Sequence, residues 1–126
     1  MCDDGLVIDL SRMKQIEVDP IRRTARAQAG LNLGEFDAAT QAHGLATTMG
    51  VNADTGIAGL TLGGGFGKPG RKYGLSCDNL NSAEIVNAEG RLLRVSATEH
   101  ADLFWAIRGG GGNFGIATAF EYRRFQ

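Results

Sequence analysis

Glycine is the residue whose number and spacing most suggest chemistry in this sequence. The chain has 126 residues, and 19 of them are glycine, about twice the usual share of roughly 7%. Most of the excess falls in two clusters, Gly56–Gly74 and Gly109–Gly115. Clustered glycine indicates backbone that bends sharply or closely approaches another group. Such loops can hold an extended anionic ligand through backbone N–H groups, without charged side chains.

The common phosphate-binding loops do not fit the first cluster. A Walker A loop needs Ser or Thr after its Gly-Lys pair, but here Pro69 follows the lysine and Leu62 stands where the first glycine belongs. A G-x-G-x-x-G string begins at Gly65, within a predicted loop, Gly63–Gly70. A Rossmann turn requires a strand before that string and a helix after it, but the preceding Leu60–Gly64 is a poor strand and Pro69 spoils the turn. For one cluster alone, a purely structural role as a tight connection stays open.

Four segments together resemble the berberine-bridge-enzyme-like flavoproteins. The glycine-rich segment Thr55–Gly67 is very similar to that family's own, and Arg71–Leu80 after it is similar as well. Asp102–Ile116 matches a third signature, and Leu6–Met13 matches the strand that follows the family's first flavin loop. The order and spacing hold over nearly the whole chain. The combination is therefore far more specific than any single segment.

The resemblance implies an FAD-binding domain of the vanillyl-alcohol-oxidase (PCMH) type, in which FAD lies between two subdomains. Residues 1–126 would be part of that domain, its second and larger subdomain. The implied activity is oxidation of a small organic substrate by hydride transfer to FAD. Carried over onto this sequence, the implied FAD contacts are Gly50, Val51, Asp54, Thr55, Gly56, Ala58, Gly59, Leu60 and Ile116.

Departures from the family pattern bear on that activity. We expect the first subdomain, with its pyrophosphate-binding loop, and the substrate domain, with its catalytic base, to be absent, so no catalytic residue is assigned. Asn52 stands where some members tether the flavin through cysteine, so FAD would be bound non-covalently as far as this chain shows. Asp54 replaces the usual threonine, and its carboxylate repels a diphosphate unless it is paired or turned away. The alternative hypothesis is an isolated or degenerate, non-catalytic domain that does not retain FAD.

The remaining composition argues against several other classes of function. Thirteen basic and 14 acidic residues give a net charge of -1, which provides no electrostatic footprint for nucleic acid or an anionic membrane. No apolar run approaches the roughly 20 residues that span a bilayer, and the acidic N-terminus is unlike a secretory signal, so we expect a cytoplasmic protein. His43 and His100 stand apart from other ligand types, so no metal site is predicted. Cys2 and Cys77 are expected to be free thiols, and a bridge between them stays open.

Local patterns predict the α+β class, with a largely antiparallel sheet flanked by two or three helices. Consecutive strands mostly follow one another as hairpins, which makes them antiparallel. Apolar or alternating runs predict six strands, at Leu6–Leu10, Gln15–Val18, Thr24–Ala29, Ser82–Ala88, Leu92–Val95 and Gly115–Tyr122.

The first helix has the clearest signals. Asn32 and Glu35 have the spacing of a capping box, and Gly44 is a suitable residue to end the helix after His43. The other helices are predicted at Thr55–Leu62 and Ala101–Arg108.

A half-domain would also expose the face that covers FAD and the partner subdomain. Large exposed apolar patches tend to associate. We therefore expect self-association into a homo-oligomer through that face.

Overall fold

A five-stranded antiparallel sheet is the frame of the molecule. The computed structural model describes residues 3–125, and its strands are β1 (Ile16–Asp19), β2 (Thr24–Gln28), β3 (Leu80–Val86), β4 (Leu92–Ser96) and β5 (Ile116–Arg123). Their order across the sheet is β1-β2-β5-β3-β4, and every neighbouring pair is antiparallel. Strand β5 therefore joins the β1–β2 hairpin to the β3–β4 hairpin.

Four short helices accompany the sheet in the described part of the chain: α1 (Leu33–Gln41), α2 (Ile57–Leu62), α3 (Gly70–Tyr73) and α4 (Ala101–Ile107). The α+β class and the antiparallel sheet are confirmed. Helix α1 begins at the predicted capping box, where the side chain of Asn32 accepts the N–H of Glu35 at 2.9 Å and the Glu35 carboxylate accepts the N–H of Asn32 at 3.0 Å. These two bonds satisfy N–H groups that a helix start leaves unpaired.

The hydrophobic core lies between one face of the sheet and the helices. Phe36 of α1 meets Tyr122 of β5 edge-on, with ring centroids 5.3 Å apart. A fully buried large apolar side chain contributes about 1.5–3 kcal/mol, so this layer supplies much of the stability. Its members from the helices and the sheet include Leu33, Phe36, Ile57, Phe104, Ile107, Ala83, Ile85, Phe120 and Tyr122.

The other face of the sheet is polar. Arg26 of β2 and Glu84 of β3 form an ion pair across β5, in which Arg26 Nη2 donates to both carboxylate oxygens of Glu84, at 2.8 and 2.9 Å. Arg94 and Glu121 border the same shallow depression of about 300 Å³. Charges of both signs are interspersed there, which is typical of a solvated surface.

The predicted strand at Leu6–Leu10 is wrong, so the sheet has one strand fewer than expected. This segment pairs with no strand among residues 3–125, and the side chains of Leu6, Val7 and Ile8 are 84%, 62% and 56% exposed. An apolar run becomes a strand only where another backbone supplies its hydrogen bonds. The predicted loop Gly63–Gly70 also differs at its end, since Gly70 begins the single turn of α3.

One buried polar contact ties helix α2 to the sheet. The hydroxyl oxygens of Thr61 and Tyr122 are 2.7 Å apart, and both residues are fully buried. Burial raises the pKa of the Tyr122 hydroxyl, which keeps it protonated and able to donate to Thr61. The contact matters because an unpaired buried hydroxyl is costly.

Replacing Tyr122 by Phe should lower the free energy of unfolding by about 1–3 kcal/mol, because it leaves the Thr61 hydroxyl buried without a partner. Urea unfolding followed by far-ultraviolet circular dichroism measures the loss. The double variant Tyr122→Phe, Thr61→Val removes both hydroxyls and should recover most of it. A double variant as unstable as the sum of the two single variants would contradict the hydrogen bond's role.

Candidate functional site

Helix α2 and the turn before it are fixed against the start of α1. The N–H of Leu33 donates to the carbonyl of Thr55 at 2.9 Å, and the N–H of Ile57 donates to the carbonyl of Leu31 at 3.0 Å. The two bonds pair the segments as a short antiparallel bridge. The first turn of α2 therefore has one defined position on the surface.

A surface cleft of about 480 Å³ opens beside this turn. Its volume falls in the range of small-molecule sites, roughly 300–1,000 Å³. One wall is Val7–Ser11, and the other contains three of the nine predicted FAD contacts, Asp54, Gly56 and Ala58. The structure thus brings one end of the first glycine cluster together with the N-terminal segment.

The other six predicted contacts lie outside the lining of this cleft. Gly50 packs beneath α2, since a Cβ added there would lie 3.4 Å from Leu60 Cδ1. Leu60 and Thr55 are half-buried, whereas Val51 and Gly59 are exposed. These residues support and surround the first turn of α2 but do not border the cleft.

Ile116 is the most distant of the predicted contacts in sequence. It is the first residue of β5, half-buried and paired with Val86 of β3. The loop before it is attached to α2, because the N–H groups of Gly109 and Gly111 both donate to the carbonyl of Leu62, at 3.0 and 2.9 Å. The two glycine clusters therefore meet at the end of α2.

The glycines of the first cluster divide into two groups by what a side chain would meet. At Gly56 and Gly59, an added Cβ has no heavy atom within 4 Å. At Gly67 it would collide with the carbonyl oxygen of Met49, and at Gly65 it would lie 2.5 Å from Ser76 Oγ. Gly65 and Gly67 thus serve the packing of the chain on itself. Gly56 and Gly59 leave backbone open to close approach from outside, as a flavin lying against the backbone requires, so the residues present fit FAD.

The charged side chains around the cleft have different surroundings. Asp54 is exposed, and its carboxylate forms no ion pair within residues 3–125. The N–H of Ser11 donates to Asp9 at 2.8 Å, which lowers the pKa of Asp9. Lys14 Nζ lies 2.6 Å from Glu35 Oε1. The pKa of Glu35 is lowered mainly by this hydrogen bond from Lys14, and to a smaller extent by the hydrogen bond from the backbone N–H of Asn32.

Part of the cleft was not predicted from the sequence. Val7–Ser11, Lys14 and Asn32 line it. The sequence predicts a strand at Leu6–Leu10 and a helix cap at Asn32, and it indicates no role for Lys14. One signal could have found this wall. Gly30 stands outside both clusters, and a Cβ at that position would collide with the carbonyl oxygen of Leu10.

The other predicted features concern cysteine, metal and membrane. Cys77 is a buried free thiol whose pKa is raised by its burial, and Cys2, the other cysteine of the chain, lies outside the described residues. In the described range, no three His, Cys, Asp or Glu side chains come together as metal ligands. Over the same range, no helix has both the length and the apolar character needed to cross a bilayer.

Alanine at Gly67 and at Gly59 should have opposite effects on stability. Gly67→Ala should lower the free energy of unfolding by about 1–3 kcal/mol, because the new methyl group overlaps the Met49 backbone. Gly59→Ala should raise it by up to about 1 kcal/mol, since Gly59 lies inside a helix and faces open space. Urea titrations of the two variants test this, and a destabilising Gly59→Ala would show that this face is occupied by the chain itself.

The chain is similar in sequence to known FAD-binding proteins. Residues 1–96 match the family model described as FAD binding domain. The FAD-linked oxidoreductase pgmH of Aspergillus terreus is 50% identical over 119 residues, which are 94% of this chain and 24% of that protein.

Solved structures share the fold at similar identity. The 6-hydroxy-D-nicotine oxidase of Arthrobacter nicotinovorans superposes with a TM-score of 0.96 at 38% identity, covering 99% of this chain and 28% of the oxidase. BBE-like 1 of Physcomitrella patens gives a TM-score of 0.88 at 36% identity, covering 92% and 26%. The chain spans about a quarter of the length of the curated relatives it matches.

Proposed function

We propose a function for this chain from one premise: it belongs to the FAD binding domain family, within the berberine-bridge-enzyme-like FAD-linked oxidoreductases. FAD is the cofactor of that family. Our proposal is that this chain forms one wall of the FAD site of an oxidoreductase that acts by hydride transfer from a small organic substrate. One neighbour's name, 6-hydroxy-D-nicotine oxidase, specifies a small organic substrate for that protein, which supports the substrate class.

The open backbone at Gly56 and Gly59 is the observation that carries this proposal. Gly56 caps the start of α2 and Gly59 lies within it. At both positions a side chain would meet nothing of this chain, and Gly56 borders the cleft. Gly59 lies inside the helix, where glycine costs backbone entropy relative to alanine. Its presence on an outward face is explained by a ligand that lies against the backbone.

The residues of this chain would bind and orient the cofactor. The Thr61–Tyr122 hydrogen bond and the bridge from Leu31 hold α2 rigidly, so the glycine face keeps its shape when FAD approaches. When bound, FAD supplies the redox chemistry by accepting a hydride from an oxidisable carbon of the substrate. The role of the chain in that chemistry is to fix the cofactor in place.

Titration of the purified protein with FAD tests the proposal. We expect quenching of flavin fluorescence and saturation at one FAD per chain. Gly56→Ala should weaken binding by at least about tenfold, because Gly56 borders the cleft and its new methyl group would occupy the space of the ligand. Gly112→Ala is the matched control, since it adds the same methyl group to open space away from the cleft. A protein that takes up no FAD would favour the alternative, a domain that does not retain the cofactor.

Neutralising Asp54 should strengthen FAD binding. Its unpaired carboxylate borders the cleft and repels the diphosphate through water, so Asp54→Asn should lower the dissociation constant by about threefold at low salt. The gain should shrink above roughly 0.5 M salt, where charges are screened. Glu99→Gln makes the same charge change at an exposed position outside the cleft and should have no effect. Weaker binding by Asp54→Asn would show that the carboxylate accepts a hydrogen bond from the ligand.

A further inference from the structure

The cleft has a cationic side chain that the predicted FAD contacts do not include. Lys14 lines it together with Asp54, Gly56 and Ala58. Among the described lining residues, Lys14 is the only Lys or Arg, whereas Asp9 and Asp54 are acidic. The diphosphate of FAD needs positive charge or N–H donors around it. Lys14 therefore restricts where in this cleft a phosphate can lie favourably.

The present partner of Lys14 would not prevent a second contact. Lys14 Nζ has three N–H donors, and one of them is used on Glu35 at 2.6 Å. The two side chains are 44% and 38% exposed, and an exposed ion pair of this kind contributes little to stability. Lys14 can therefore share or exchange its partner at small cost.

Glu35 stays in place when the lysine moves. Its other carboxylate oxygen accepts the N–H of Asn32 at 3.0 Å as half of the α1 capping box. The carboxylate is thus held by the helix cap as well as by the lysine. Movement of Lys14 toward a ligand leaves both α1 and the cleft wall intact.

The two acidic residues of the lining, Asp9 and Asp54, disfavour a phosphate beside them. Asp9 is held by the N–H of Ser11, and Asp54 has no cationic partner within residues 3–125. A phosphate beside either carboxylate would be repelled. A phosphate beside Lys14 meets the one favourable charge in the lining.

We propose that Lys14 is the phosphate-binding residue of this cleft and that it holds the diphosphate of FAD through its ammonium group. This inference rests on the proposed function, because it assigns one end of the same cleft. It also gives the orientation of FAD in the cleft, with the phosphates at the end where Lys14 lies.

Calorimetric titration of the protein with FAD, ADP and riboflavin tests the assignment, because riboflavin has no phosphate. Lys14→Gln should weaken FAD and ADP binding by about five- to tenfold and leave riboflavin unchanged. Arg91→Gln is the matched control, since it removes a cation from an exposed hairpin outside the cleft, and it should change none of the three. Glu35→Gln keeps an acceptor for the helix cap but releases Lys14, so it should tighten FAD binding by about twofold.

Each other outcome would overturn the assignment in its own way. If the unmodified protein binds FAD and Lys14→Gln leaves the ratio of FAD to riboflavin affinity unchanged, Lys14 does not hold the phosphate, and the proposed function stands. If Lys14→Gln lowers the affinities for FAD, ADP and riboflavin equally, the lysine has only a structural role. If the unmodified protein binds none of the three, the proposed function and the Lys14 assignment both fail.

Discussion

A helix of six residues is too short to be stable in water by itself, so α2 depends on the groups that hold it. Its start is held by the bond from Ile57 to Leu31, and its middle by the bond between Thr61 and Tyr122. Its end is held at Leu62, whose carbonyl accepts two N–H groups from the second glycine cluster. Together these contacts fix one helix face outward. The first turn of α2, which these contacts hold in place, borders the cleft.

The site could be predicted only in part, because glycine serves two different purposes in the same segment. In the sequence, Gly59 and Gly67 cannot be told apart. In the structure, Gly67 faces the backbone of Met49 and Gly59 faces open space. Only the folded chain separates these roles. The wall formed by Val7–Ser11 reaches the cleft through the close approach of backbone at Gly30. That contact joins segments distant in sequence, and a pattern within a short window does not encode it.

The fold was predictable where its causes are local. The capping box at Asn32 involves residues three positions apart, and the β3–β4 hairpin joins two strands that follow one another directly. Both are present as expected. Leu6–Leu10 has the composition of a strand, but pairing depends on a neighbouring backbone that residues 3–125 do not provide. Its failure as a strand thus has a tertiary cause, which composition does not show.

The central position of β5 sets the order in which the sheet can form. It is the last strand of the sheet in the chain, yet it pairs with both β2 and β3. During synthesis the two hairpins emerge first, and each presents an unpaired inner edge until β5 follows. At roughly 5–20 residues per second, that interval lasts a few seconds after β3. Open strand edges are where chains aggregate, so the yield of soluble protein depends on protecting two hairpins during that interval.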